Sequence, residues 1–118
     1  MIGNIYGTIL NEIRAYLDHR GRSPFTEWFD SLDGRAAAKV SVFLERLAAG
    51  NSSALKGIGQ GVLELRIDFG PGYRVYLGRD DATLVVLLGG GTKRRQQGDI
   101  AEAKQRWQDY KARKASGA

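Results

Sequence analysis

The chain has 118 residues, enough for one hydrophobic core and too few for several domains. With 42% apolar and 26% charged residues it is neither collagen-like nor wholly disordered. The absence of cysteine excludes disulfide frameworks, thiol nucleophiles and Cys-ligated zinc. The net charge of +5 is unevenly placed: residues 1–90 carry ten basic and ten acidic side chains, residues 91–118 eight against three. A basic patch so confined suits a polyanion or an acidic partner; the plainer reading is a solvated helix with a charged tail. No run of eighteen apolar residues occurs, and Met1 to Tyr6 lack the basic-then-apolar order of a secretory signal. The expectation is a cytoplasmic protein with no membrane contact, folded as a single domain over 1–118, with 1–9 and 114–118 frayed.

In chain order, residues 1–9 are hard to place and could add a short strand. Over Asn11 to Leu17, Ile13, Ala15 and Leu17 alternate with Glu12, Arg14 and Tyr16, the pattern of a half-buried strand. Ser23-Pro24 opens a helix, with Ser23 as cap and Pro24 at the first helical position. Phe25, Trp28, Phe29 and Leu32 then form one apolar stripe. Asp33 caps a second helix over about Arg35 to Ala49, striped by Ala36, Val40, Phe43, Leu44 and Leu47, with Gly50-Asn51 as its stop.

Val62 to Phe69 alternates as a strand, Gly70-Pro71-Gly72 turns, and Tyr73 to Arg79 returns. A three-residue loop would pair Phe69 with Tyr73, Asp68 with Arg74 and Arg66 with Tyr76. Thr83 to Gly89 is a central strand, and a last helix over about Asp99 to Arg113 points Ile100, Ala103, Trp107 and Tyr110 inward. The order β, α, α, β, β, β, α predicts an α+β fold: a twisted, mainly antiparallel sheet covered by an N-terminal helical hairpin, with a C-terminal helix. In that arrangement Phe25, Trp28, Phe29, Val40, Phe43, Leu44 and Leu47 pack on Leu65, Ile67, Val75, Leu77, Val85 and Leu87.

Few chemistries fit. The one histidine, His19, lies in a polar turn, and no nucleophile elbow accompanies it. No metal-ligand spacing occurs, so no metal and no cofactor is expected. Gly57-x-Gly59-x-Gly61 and Gly89-Gly90-Gly91-Thr92-Lys93 lack the spacing of nucleotide-binding loops. A cationic constellation remains. Arg66 and Arg74 share the outward face of the central hairpin, while Lys93, Arg94 and Arg95 leave the end of the next strand beside a Gly-rich segment that would let backbone approach a ligand. Guanidinium groups stay protonated and bind phosphate oxygens bidentately. Tyr76, on the same face, could stack on a base or shuttle a proton. The competing reading is structural: Asp68 neutralises Arg74 and Glu64 neutralises Arg66 across the strands.

The segments GRSPFTEWFDSLD (Gly21 to Asp33), GVLELRIDFGPGYRVYLGRD (Gly61 to Asp80) and LLGGGTKRRQQGDIAEA (Leu87 to Ala103) resemble the phage-derived addiction-module killer proteins, a HigB-like branch of the RelE/ParE toxin superfamily. The resemblance runs from about Ile13 to Lys111. It implies the toxin of a type II toxin–antitoxin module and the fold just described. It also implies metal-independent cleavage of mRNA in the ribosomal A site, by attack of the 2′-hydroxyl on the adjacent phosphate. Arg74 matches a catalytic arginine, Arg66 lies near a catalytic lysine, and Lys93 and Arg94 align with a basic pair. Where this branch commonly reads GGDKS, the chain has Gly90-Gly91-Thr92-Lys93-Arg94, which replaces an acidic residue and makes the strand end more cationic.

The resulting expectation is a ribosome-dependent mRNA endonuclease with Arg74, Arg66 and Tyr76 as catalytic residues and Lys93, Arg94 and Arg95 holding RNA. Its partners would be mRNA, the ribosome and a cognate antitoxin, a small helix-turn-helix protein. The alternatives are a ParE-like poison of DNA gyrase that cuts no RNA, and an inactive relic that only binds its antitoxin.

Overall fold

A computed structural model describes residues 10–117. The expectations for residues 1–9 and for residue 118 lie outside them. The described chain runs β1 (Glu12–Ala15), α1 (Pro24–Asp30), α2 (Gly34–Ala48), β2 (Leu55–Gly59), β3 (Val62–Ile67), β4 (Tyr73–Arg79), β5 (Leu84–Thr92), a single 3-10 turn (Lys93–Arg95) and α3 (Gln96–Ala115). The strands form one five-stranded sheet ordered β1-β5-β4-β3-β2. All neighbours are antiparallel except β1, which runs parallel to β5, so the sheet is mixed and the fold α+β. No described helix is long and apolar enough to cross a membrane.

Both helix starts follow the local chemistry. Ser23 Oγ accepts from the Thr26 amide at 3.0 Å, and Asp33 Oδ1 from the Ala36 amide at 2.9 Å, each satisfying a donor that the helix leaves open. α2 ends at Gly50, whose φ of 96° is the left-handed stop expected of it. The apolar stripes meet the sheet as predicted: Phe25, Val40 and Leu47 are buried with Leu65, Ile67, Val75, Leu77, Val85 and Leu87, and Trp28, Phe29, Phe43 and Leu44 pack partly buried against them.

Four expectations need correction. The strand β2 was not anticipated; its glycines weaken the strand signal. Its hairpin to β3 turns through Gln60 and Gly61, with φ of 57° and 84°, the all-positive geometry of a tight type I′ turn. The β3–β4 register is shifted by two residues: Ile67 pairs with Tyr73, Arg66 with Arg74 and Glu64 with Tyr76. The loop closes on itself, with the Phe69 amide on the Ile67 carbonyl at 2.9 Å and the Gly72 amide on the Phe69 carbonyl at 3.0 Å, which takes Asp68 and Phe69 out of the ladder. A shift of two preserves which face each residue occupies.

The sheet face that carries Val62, Glu64, Arg74 and Tyr76, expected outward, is also covered. α3 covers it, burying Tyr16, Val62, Tyr76, Val86, Leu88, Ala103 and Trp107 in a second core. Tyr16 therefore points inward, its hydroxyl on Asp109 Oδ2 at 2.6 Å, while Leu17, expected inside, is 50% exposed. The fourth is the chain end. Residues 114 and 115 are helical, Ser116 caps α3, and Lys114 pairs with Asp80.

Candidate phosphate-binding cleft

The shifted register decides the site. With Arg66 directly across from Arg74, two cations share one position of the sheet, where like charges repel. The Lys93 amide donates to the Gly72 carbonyl at 3.0 Å, which ties the β3–β4 loop to the end of β5 and brings Lys93 beside Arg74. The result is an open cavity of about 710 Å³ lined by Arg66, Arg74 and Lys93, together with Lys56, Asp68 and the backbone of Gly72. Among the described residues Asp68 is the one carboxylate in that lining. Lys93 also borders a second cavity of about 440 Å³ formed with Arg94, Arg95 and Gln96 to Gly98, so the two adjoin across its side chain.

Beneath the cavity lies a buried polar layer. Arg74 is 6% exposed and Glu64 2%, and their side chains form an ion pair, Nε to Oε2 at 3.3 Å. The same carboxylate oxygen accepts from Gln96 Nε2 at 2.9 Å. Glu64 thus neutralises Arg74, not Arg66, and Asp68 neutralises neither; the register shift exchanges the partners. Tyr76 is 1% exposed and its hydroxyl has no partner among the described residues. Burial first, then the neighbouring Glu64 and Asp99 carboxylates, push its pKa well above that of a free tyrosine. Tyr76 does not line the cavity, so its expected roles in stacking and proton transfer have no geometric basis. Burial also raises the Asp99 carboxyl, which stands in the first turn of α3.

The Gly-rich end of β5 makes room for neighbouring side chains. A Cβ on Gly90 would stand 2.3 Å from the Trp28 ring, and one on Gly91 would stand 1.9 Å from Asp99 Oδ2. A bulge at Leu88 accompanies them, since Tyr76 pairs with Gly89 but Leu77 with Leu87. Lys93, Arg94 and Arg95 are exposed, and among the described residues no side-chain hydrogen bond or ion pair engages them. The other cations of the basic quarter are partly committed. Arg106 donates to the Leu88 carbonyl at 3.0 Å, Arg113 pairs with Asp109 at 2.7 Å, and Lys114 pairs with Asp80.

Over 81 residues the chain is 46% identical to an uncharacterized protein of Haemophilus influenzae, covering 68% of this chain and 82% of that protein. It belongs to the same family. No family model matches the chain.

Of the six expected site residues, Arg66, Arg74 and Lys93 share the cavity, Arg94 and Arg95 border the adjoining one, and Tyr76 lies beneath. Sequence reasoning missed Lys56, on the unforeseen β2, and the support of Arg74 by Glu64 and Gln96. Glu64 was legible only as an acidic residue two positions from Arg66 on the same strand face; the observed register, with Arg66 across from Arg74, is what brings it within diagonal reach of Arg74. Four cations and one carboxylate around an open cleft can hold a phosphodiester, offset charge that builds on it, and accept a proton.

Proposed function

We propose that this chain is the toxin of a type II toxin–antitoxin module, a HigB-like member of the RelE/ParE superfamily that cleaves mRNA on the ribosome. The observation supporting it is the convergence of Arg66, Arg74 and Lys93 on one open cavity. In the proposed reaction the guanidinium groups of Arg74 and Arg66 grip the scissile phosphate. Asp68 accepts the proton of the 2′-hydroxyl, whose oxygen attacks phosphorus. The bond to the 5′-oxygen breaks, that oxygen takes a proton from solvent, and a 2′,3′-cyclic phosphate and a 5′-hydroxyl result. Arg74 meets the charge that develops, and loss of such a preorganised contact costs about 10²–10³ in rate. Lys93, Arg94 and Arg95 hold the RNA strand at the cleft mouth, and a small helix-turn-helix antitoxin neutralises the protein by direct binding.

Burial of Tyr76 favours a second reading, because it takes one proton carrier away from the cleft. In that reading the protein is a ParE-like poison of DNA gyrase. Controlled induction in cells, scoring growth and mapping new 5′ ends of mRNA, separates the two. Arrest with new 5′ ends supports the nuclease. Arrest with DNA damage and intact mRNA supports the gyrase poison. No arrest, with antitoxin binding retained, identifies an inactive relic.

A further inference from the structure

Three side chains stand in series, of which Arg74 lines the cleft. Gln96, the first residue of α3, donates from Nε2 to Glu64 Oε2 at 2.9 Å. That oxygen stands 3.3 Å from Arg74 Nε. The far edge of the guanidinium reaches the cavity wall, where a Cβ on Gly72 would stand 3.6 Å from Arg74 Nη1. The contact at Nε lacks hydrogen-bond alignment, so Glu64 restrains Arg74 by charge. An arginine carries several rotatable bonds, and Arg66 opposite repels it. A buried carboxylate behind one edge fixes the direction in which the other edge presents its donors. Gln96 in turn fixes the carboxylate, and so couples the docking of α3 to the geometry of the cleft.

We propose that Glu64 and Gln96 are positioning residues for Arg74, aiming its terminal guanidinium nitrogens at the bound phosphate. This rests on the nuclease reading of the cleft. Plain electrostatics and positioning predict different outcomes when Glu64 loses its charge. Removing an anion beside a phosphate site should tighten RNA binding, whereas misaiming Arg74 should slow the reaction by about 10²-fold.

The test compares the wild-type chain with Glu64→Gln, Arg74→Lys, their combination, and Gln96→Ala, each checked by thermal melting. Two quantities are read: the single-turnover rate of mRNA cleavage on programmed ribosomes, and affinity for a labelled single-stranded RNA oligonucleotide. Glu64→Gln should slow cleavage about 10²-fold with oligonucleotide affinity unchanged or tighter. The combined variant should be no slower than Arg74→Lys alone, because Glu64 acts through that side chain. If Glu64→Gln does not fold, Gln96→Ala carries the test and should slow cleavage about 10-fold with affinity intact. Cleavage at the wild-type rate in the folded variants overturns the proposal, as do losses at Glu64 and Arg74 that multiply. A wild-type chain that leaves mRNA intact overturns the nuclease reading, and the proposal falls with it.

Discussion

Arg74 and Glu64 answer for each other. Both are buried, and neither can lose its partner without leaving a charge stranded beneath the sheet face. Breaking a buried pair from one side costs about 3–5 kcal/mol. Arg74→Ala should therefore lower unfolding free energy by that amount in a denaturant titration, and Arg74→Ala with Glu64→Ala should recover part of it. An inactive Arg74→Ala protein would then say little about chemistry, which is why Arg74→Lys is the informative substitution. Tyr76 makes the opposite case. Its hydroxyl has no partner among the described residues and does not border the cleft. Tyr76→Phe should change stability by no more than about 1 kcal/mol. It should also leave mRNA cleavage at the wild-type rate. A large loss of cleavage in that folded variant would return Tyr76 to the mechanism.

The helix α3 is seated on the sheet by a ring and a polar strap. A Cβ on Gly78 would stand 2.5 Å from the Trp107 ring, so the glycine is the seat for the indole. Gly78→Ala should cost about 1–3 kcal/mol through overpacking. Combined with Trp107→Phe it should cost less than the sum of the two, as a double-mutant cycle on thermal melts would read. Toward the C-terminal end of the helix, the Tyr110 hydroxyl donates to Asp80 Oδ2 at 2.5 Å, and Lys114 pairs with the other oxygen. The hydrogen bond from Lys114, then that from Tyr110, holds the Asp80 carboxyl below its ordinary range. Burial, then the bond to Asp80, pushes Tyr110 up to about 12. The signs are opposite. Asp80 contributes stability above its unfolded pKa of about 4, lost as pH falls through the lower folded value. Tyr110 contributes below the unfolded tyrosine value of about 10, and that share is lost as pH rises from there through the folded value. Tyr110→Phe should flatten the alkaline limb of melting temperature against pH; an unchanged limb would show the strap contributes nothing.

Across the whole molecule, two groups of cations differ in what they touch. Lys56, Arg66, Lys93, Arg94 and Arg95 are exposed around the two adjoining cavities, whereas Arg106, Arg113 and Lys114 hold α3 to the Leu88 carbonyl, the Leu17 carbonyl and Asp80. Phosphate contacts release counterions, with a slope near 0.7 per contact on single strands. Lys93→Ala should weaken binding of a single-stranded RNA oligonucleotide and reduce its log–log salt slope by about 0.7. Arg113→Ala should lower the melting temperature and leave that slope unchanged. Equal effects of the two substitutions on the slope would mean that net charge alone governs binding.

The caps at Ser23 and Asp33, the apolar stripes of α1 and α2, and the alternation of β3 and β4 were legible in the sequence because each is set by neighbours within a turn or a strand. So was the side of the sheet on which Arg66, Arg74 and Glu64 lie, since a register shift of two leaves faces unchanged. The glycines of β2 hid the edge strand that carries Lys56, and the partner of each charge could not be read either. The β3–β4 loop chooses its own hydrogen bonds, and those set whether Arg74 stands across from Asp68 or from Arg66. Burial of the second face was decided only when α3 folded back on it, a contact between segments far apart in the chain whose attraction carries no pairing code. That return made Tyr76 a core residue, and it left Arg74 held from behind by Glu64 while Arg66 and Lys93 complete the cleft around it.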